Sequence, residues 1–176
     1  VEVASNDGYL LQHFANQNIP VLGIEPAANV AEAAEARGVP TRTAFFGAGF
    51  AKSLRDEGIQ ADLLAGNNVL AHVPDLNDFV EGLSILLAKD GVLTMEFPHL
   101  LRLIEDVQFD TIYHEHYSYF SLLVVERIFA RHGLKLFDVE ELPTHGGSLR
   151  IFAGRSDGPD RGESDGLKSV RASESQ

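Results

Sequence analysis

The sequence has no cysteine, no tryptophan and a single methionine. Without thiols it makes no disulfide and offers no thiolate to a metal, a composition that fits a cytoplasmic protein. Basic residues are scarce: 14 Lys and Arg stand against 26 Asp and Glu, giving a formal net charge of −12 at pH 7. Nucleic-acid binding asks for a basic face, so no nucleic-acid partner is expected. No apolar run reaches membrane-spanning length and no basic-then-apolar leader precedes the domain, so no membrane partner is expected either. A small anionic ligand stays open, because a few local donors can hold a phosphate on an acidic protein.

What the chain does have is alternation. Residues 1–4 form a short apolar run, followed by the turn Ser5-Asn6-Asp7-Gly8 and helical spacing over 9–16. The pattern continues with a strand at 21–24, an alanine-rich helix at 29–37 stopped by Gly38, a strand at 41–46 and a helix at 50–57. A strand at 62–65, a helix at 75–87 capped by Asp75, and a strand at 92–97 after Lys89-Asp90-Gly91 follow. Beyond a long segment, 98–119, come an amphipathic helix at 120–131 and two strands, 134–140 and 148–153, with no helix between them. Repeated strand–helix units predict a parallel sheet covered on both faces, and the last two strands an antiparallel pair at its edge. The expected fold is α/β: a Rossmann-like class I methyltransferase architecture, mostly parallel with an antiparallel edge hairpin. The domain is expected over 1–155. From residue 156 the composition turns to Gly, Ser and charge, which reads as a linker or disordered tail over 156–176. The abrupt start on a strand suggests a segment of a longer protein. Nothing in the pattern sets an oligomeric state, and a monomer is compatible with it.

Ligands of such sheets bind beyond the carboxyl ends of the strands. There the first strand runs into Ser5, Asn6, Asp7 and Gly8, which is neither GxGxxG nor a Walker loop. One glycine gives poor access to a pyrophosphate. Glu25, ending the second strand, can accept both hydroxyls of a ribose, and Asn67 and Asn68 follow the fourth strand. S-adenosylmethionine fits these groups, having ribose hydroxyls, a cationic sulfonium and no phosphate. Turn formation explains Asn6, Asp7, Asn67 and Asn68 equally well, and an exposed acid before Pro26 explains Glu25.

Residues 108–120, QFDTIYHEHYSYF, gather Tyr113, His114, Glu115, His116, Tyr117 and Tyr119. Such a density of polar groups is poor core material unless each finds a partner. It suits proton transfer, which wants a histidine that titrates near the working pH and a neighbour that fixes its tautomer. In an extended conformation His114 and His116 would share one face and Tyr113 and Glu115 the other, so a bent loop is expected.

The stretches EVASNDGYLL, LGIEPAANVA, NNVLAHVPDLNDFV, EFPHLLRLIE, QFDTIYHEHYSYFSL and LPTHGGSLR together resemble the sugar C-methyltransferases. These act on nucleotide-linked keto-deoxysugars and are similar to the C-3 methyltransferases of antibiotic sugar pathways. The resemblance implies S-adenosylmethionine as cofactor and a nucleotide-linked keto-sugar as substrate. It implies His116 as the base that removes the proton α to the ketone, and His72 as the group that stabilises the enolate oxygen or positions the sugar. Tyr113 and Glu115 match residues that surround the sugar and orient the base. The resemblance also implies a cysteine-rich zinc domain before this core and a further domain after it, so zinc belongs outside this chain. His114 is given no catalytic role, and His99 and His145 are weaker candidates. Arg102 and Arg150 suit either a diphosphate or salt bridges. Three other readings compete: a His-x-His metal enzyme, a nicotinamide-dependent sugar oxidoreductase or epimerase, and an inactive binding module. The missing glycines weigh against the nicotinamide reading, and no third metal ligand follows from spacing. A methyltransferase acting on another small molecule is a further alternative.

Overall fold

The computed structural model describes residues 1–175. Apolar residues at alternate positions build the centre of the sheet. Leu93, Met95 and Phe97 of β5 (Leu87–Pro98) lie opposite Ala153, Ile151 and Leu149 of β7 (Ser148–Arg155), and all are fully buried. Period-two burial of this kind fixes register, because a slip of one residue would turn every apolar side chain outward. The long chains among them contribute ~1.5–3 kcal/mol each by leaving water.

On the other side of β5 the sheet is parallel. β4 (Ala61–Asn67) pairs with β5, then β1 (Glu2–Val3), β2 (Gly23–Ile24) and β3 (Thr41–Arg42) follow outward. β6 (Leu134–Leu142) is the far edge, giving the order β3-β2-β1-β4-β5-β7-β6. The helices are α1 (Leu11–Ala15), α2 (Ala28–Ala36), α3 (Ala48–Asp56), α4 (Leu76–Leu86), α5 (Leu100–Glu105), α6 (Leu122–Arg131) and α7 (Asp165–Glu174). Caps mark their starts where the sequence provides them. Asp75 accepts from the Asp78 amide at 3.1 Å, and Ser121 from the Val124 amide at 3.3 Å. Among the described residues no helix is long and apolar enough to cross a membrane.

The expected antiparallel pair is present, but β7 lies inside the sheet, antiparallel to both β5 and β6. The expected turn at Lys89-Asp90-Gly91 is absorbed into β5 as an irregularity, where the register jumps between Ala61↔Leu87 and Leu63↔Val92. β3 ends at Arg42 and α6 starts at Leu122, both shorter than the periodicity suggested.

The largest departure lies in the tail expected to be a linker or disordered. Residues 165–174 form α7, begun by Ser164, whose hydroxyl accepts from the Leu167 amide at 3.0 Å. Leu167 and Val170 are buried against the core, and the helix packs on β6 and α6. Gln176 lies outside the described residues.

Candidate active site

The parallel strands β1, β2, β4 and β5 end at one edge of the sheet. β7 runs oppositely, with Ser148 opposite Pro98, so the β6–β7 turn opens onto that edge too. The loops following β1, β2, β4 and β5 therefore meet this turn.

After β1 the chain winds through left-handed backbone, with φ of 56° at Ala4, 50° at Asn6 and 76° at Gly8. A left-handed alanine costs about 1–2 kcal/mol and persists only where its surroundings hold it. Glu25 supplies that hold. It is buried at the end of β2, with Oε2 accepting from the Asn6 amide at 3.1 Å and Oε1 from the Ala27 amide at 2.9 Å. Each oxygen keeps lone-pair capacity for a further donor.

The neighbouring candidates are placed differently. The Ser5 hydroxyl is buried without a partner, close over Gly23 of β2, where an added Cβ would come within 2.5 Å of it. Gly23 is what leaves room for Ser5 there. Asp7 pairs with Arg37 at 2.6 Å on the surface, and the Asn6 side chain donates to the Ala4 carbonyl at 3.1 Å. Asn67 closes β4 opposite Glu96. Asn68 follows with φ 54°, its amide donating to the Glu96 carbonyl at 2.8 Å, and its buried Oδ1 has no partner.

A cleft of about 410 Å³ opens beside Asn68 and is lined by His72, Gln108, Thr111, Tyr113, His116 and His145 among others. His72 enters from a 3₁₀ turn, Leu70–His72, after β4. The other wall is the histidine–tyrosine segment, which bends: the His116 amide donates to the Tyr113 carbonyl at 3.1 Å. The Tyr117 amide, donating to the Ala71 carbonyl at 2.9 Å, ties it to the His72 turn.

The network assigns the tautomer of His116. Nδ1 lies 3.0 Å from the Thr111 carbonyl, which can only accept, so Nδ1 carries the proton. Nε2 then holds the lone pair and accepts from the Tyr113 hydroxyl at 3.0 Å. The rings of His72 and His116 meet edge to face with centroids 4.9 Å apart. Burial, and then the nearby His72, push the His116 pKa below its ordinary value, outweighing the Thr111 bond and the Glu115 charge that pull it up. The ring is held as a neutral base.

Glu115 makes no contact with the His116 ring. Its side chain is largely exposed, and His114, 4.0 Å from it, points into solvent. His99 stands apart, buried, with Nε2 donating to Glu174 at 2.7 Å. Arg102 pairs with Glu105 and Glu141, and Arg150 with Glu96 and Glu140, so both arginines are held in salt bridges. Among the described residues no three metal-ligating side chains converge. Sequence reasoning missed the Thr111 carbonyl, which no residue type announces, and Gln108, whose amide crosses to Gly146.

A sheet of this order, with its one antiparallel strand slotted between the fifth and the last-but-one and polar loops gathered at one edge, is the class I methyltransferase fold. A methyltransferase-domain family model matches residues 1–139, and the chain belongs to that family. It is 42% identical over 153 residues to the C-methyltransferase NovU of Streptomyces niveus. That alignment covers 87% of this chain and 36% of the relative, so the chain spans about a third of its length. Two solved structures share the fold at low identity. The magnesium protoporphyrin IX methyltransferase of Synechocystis PCC 6803 with bound SAH superposes with a TM-score of 0.67 at 15% identity, over 88% of this chain and 73% of that one. The DhpI-SAM-HEP complex gives 0.63 at 20% identity, over 86% and 76%.

Proposed function

We propose that this chain is the core of an S-adenosylmethionine-dependent C-methyltransferase acting on a nucleotide-diphospho-keto-deoxysugar at a carbon α to its ketone. The observation that carries the reading is the hydrogen-bond chain from the Thr111 carbonyl through His116 to Tyr113, which presents a neutral Nε2 to a cleft. The 42% identity to a protein named as a C-methyltransferase supports carbon as the atom methylated. The match of the histidine–tyrosine segment to sugar C-methyltransferases supports the substrate class.

When bound, S-adenosylmethionine supplies an electrophilic methyl group. The residues present fit it. Glu25 keeps acceptor capacity for ribose hydroxyls, and the orphaned Asn68 Oδ1 is an acceptor for the ammonium of the methionine part. A buried acceptor without a donor is costly, and a ligand donor would relieve that cost. Asn67, with the backbone of Ser5, Asn6, Asp7 and Gly8, completes the proposed cradle.

In the substrate, His116 Nε2 takes the proton from the α carbon. The C–H electron pair becomes the enolate double bond, and the carbonyl π pair moves onto oxygen. His72 would hold that oxygen through a ring N–H, the kind of preorganised donor that lowers the energy of developing charge. Tyr113 must first release Nε2, and its hydroxyl is then free for a sugar oxygen. Glu115 acts through charge rather than contact, favouring the imidazolium once the proton has arrived.

The test is methyl transfer from labelled S-adenosylmethionine to a nucleotide keto-sugar by the full-length protein. His116→Ala and His116→Asn are expected to lower kcat by ~10²–10⁴, the contribution of a positioned base. Undiminished transfer in both would overturn the assignment.

A further inference from the structure

The turn between β6 and β7 carries a histidine in a conformation that glycine would adopt more easily. His145 has φ 54° and ψ 33°, and it is followed by Gly146 at φ 76° and Gly147 at φ 128°. Left-handed backbone on a side-chain residue persists only where neighbours over-determine it, and such positions gather at functional sites.

This turn is held from every side. Ser148 donates its hydroxyl to the Thr144 carbonyl at 3.0 Å, and the Thr144 hydroxyl donates to buried Glu96 at 2.9 Å. Arg150 anchors the same carboxylate at 2.7 Å. The His99 amide donates to the Gly147 carbonyl at 3.0 Å. The decisive tie is Gln108, whose Nε2 donates to the Gly146 carbonyl at 2.7 Å, joining the turn to the segment that carries His116. A Cβ on Gly146 would come within 2.5 Å of the Gln108 amide, so the glycine is what lets the two walls close. His145 itself lines the cleft shared by His72 and His116, and no salt bridge or side-chain hydrogen bond among the described residues engages its ring.

We propose that His145 is a substrate-contacting, specificity-determining residue, donating a ring N–H to a sugar oxygen beside the reacting carbon. The proposal rests on the keto-sugar reading above. The turn is a rigid arm, clamped by Gln108 at a fixed distance from the base, and the imidazole is what it delivers.

The experiment compares His145→Ala, His145→Gly and His145→Gln in the full-length protein, with thymidine-diphospho-4-keto-6-deoxyglucose as probe. The Gly variant relieves the backbone and is expected to unfold at or above the wild-type temperature, which separates loss of contact from loss of fold. In the Ala and Gly variants KM for the sugar is expected to rise about ten-fold or more, as for loss of a hydrogen bond to a polar substrate, with kcat changed far less. Gln keeps a donor and is expected to recover part of the loss. The split between KM and kcat, with partial rescue by Gln, is the decisive readout; a purely structural turn would lower kcat and stability together and would not be rescued by Gln. Unchanged KM in an active enzyme overturns the role of His145 alone. A wild-type enzyme that methylates no nucleotide keto-sugar overturns the substrate reading, and this proposal with it.

Discussion

At the scale of single residues, the proposed chemistry turns on which nitrogen of His116 is free. A histidine in a polar run is legible in the sequence; its tautomer is not, because the group that fixes it is the Thr111 carbonyl. Two consequences can be measured. On the reading proposed above His116 acts as a base in its neutral form, and burial, then His72, lower its pKa from the ordinary 6.5. The rate should therefore rise with pH through a midpoint below 6.5 and be level at neutrality as far as this group is concerned, measured as kcat/KM against pH. A midpoint above 6.5 would contradict the site as described. The second concerns Tyr113, whose hydroxyl occupies Nε2 at 3.0 Å. Tyr113→Phe leaves the ring stack at 4.3 Å but removes the donor. Because Nε2 must be released before it can take a proton, the loss expected is that of the sugar-oxygen contact proposed for the freed hydroxyl, lowering kcat/KM by about ten-fold while the fold stays intact. A faster enzyme would mean that the bond only competes with substrate.

At the scale of elements, α7 shows where composition misleads. Its surroundings are rich in Gly, Ser and charge, and its apolar face is little more than Leu167 and Val170, too narrow a stripe to stand out by periodicity. What makes the element firm is a tertiary contact that no local pattern reveals. Glu174, at the end of α7, accepts from the Leu122 and Leu123 amides at 2.6 and 2.9 Å, so its charge sits at the N-terminus of α6. The same carboxylate receives Nε2–H of buried His99, at the junction of β5 and α5. His99 in turn bridges to Phe120, where the histidine–tyrosine segment ends. By contrast α4 and the β5 core were readable, because a local cap and period-two burial specify them without distant help. Glu174→Ala strands three buried donors, and a destabilisation of about 2–4 kcal/mol is expected in urea unfolding. A change within 0.5 kcal/mol, the scale of an ordinary surface substitution, would show that α7 is not a structural latch.

At the scale of the whole molecule, the acidic balance bears on how product leaves. The chain carries a formal charge of −12, and its ligand edge joins loops from β1, β2, β4 and β5 around Glu25. On the reading proposed here, the ligand that enters carries sulfonium and ammonium against one carboxylate, a net positive charge. After methyl transfer the sulfonium has become a neutral thioether, and S-adenosylhomocysteine has no net charge. An acidic field attracts the first and is indifferent to the second. It therefore favours exchange of product for fresh cofactor without any conformational step. Salt screens such a field over about 8–10 Å at moderate ionic strength. Calorimetric titration should then show S-adenosylmethionine affinity falling as salt rises from about 0.05 to 0.5 M, with S-adenosylhomocysteine affinity nearly constant. NAD, with a pyrophosphate and no glycine-rich loop to receive it, should bind far more weakly than either. Glu25→Ala removes both the proposed ribose acceptor and the staple between the loops after β1 and β2, and should weaken both adenosyl ligands by about ten-fold or more. Parallel salt dependence for the two ligands would refute the electrostatic account. Tight NAD binding would refute the cofactor assignment itself.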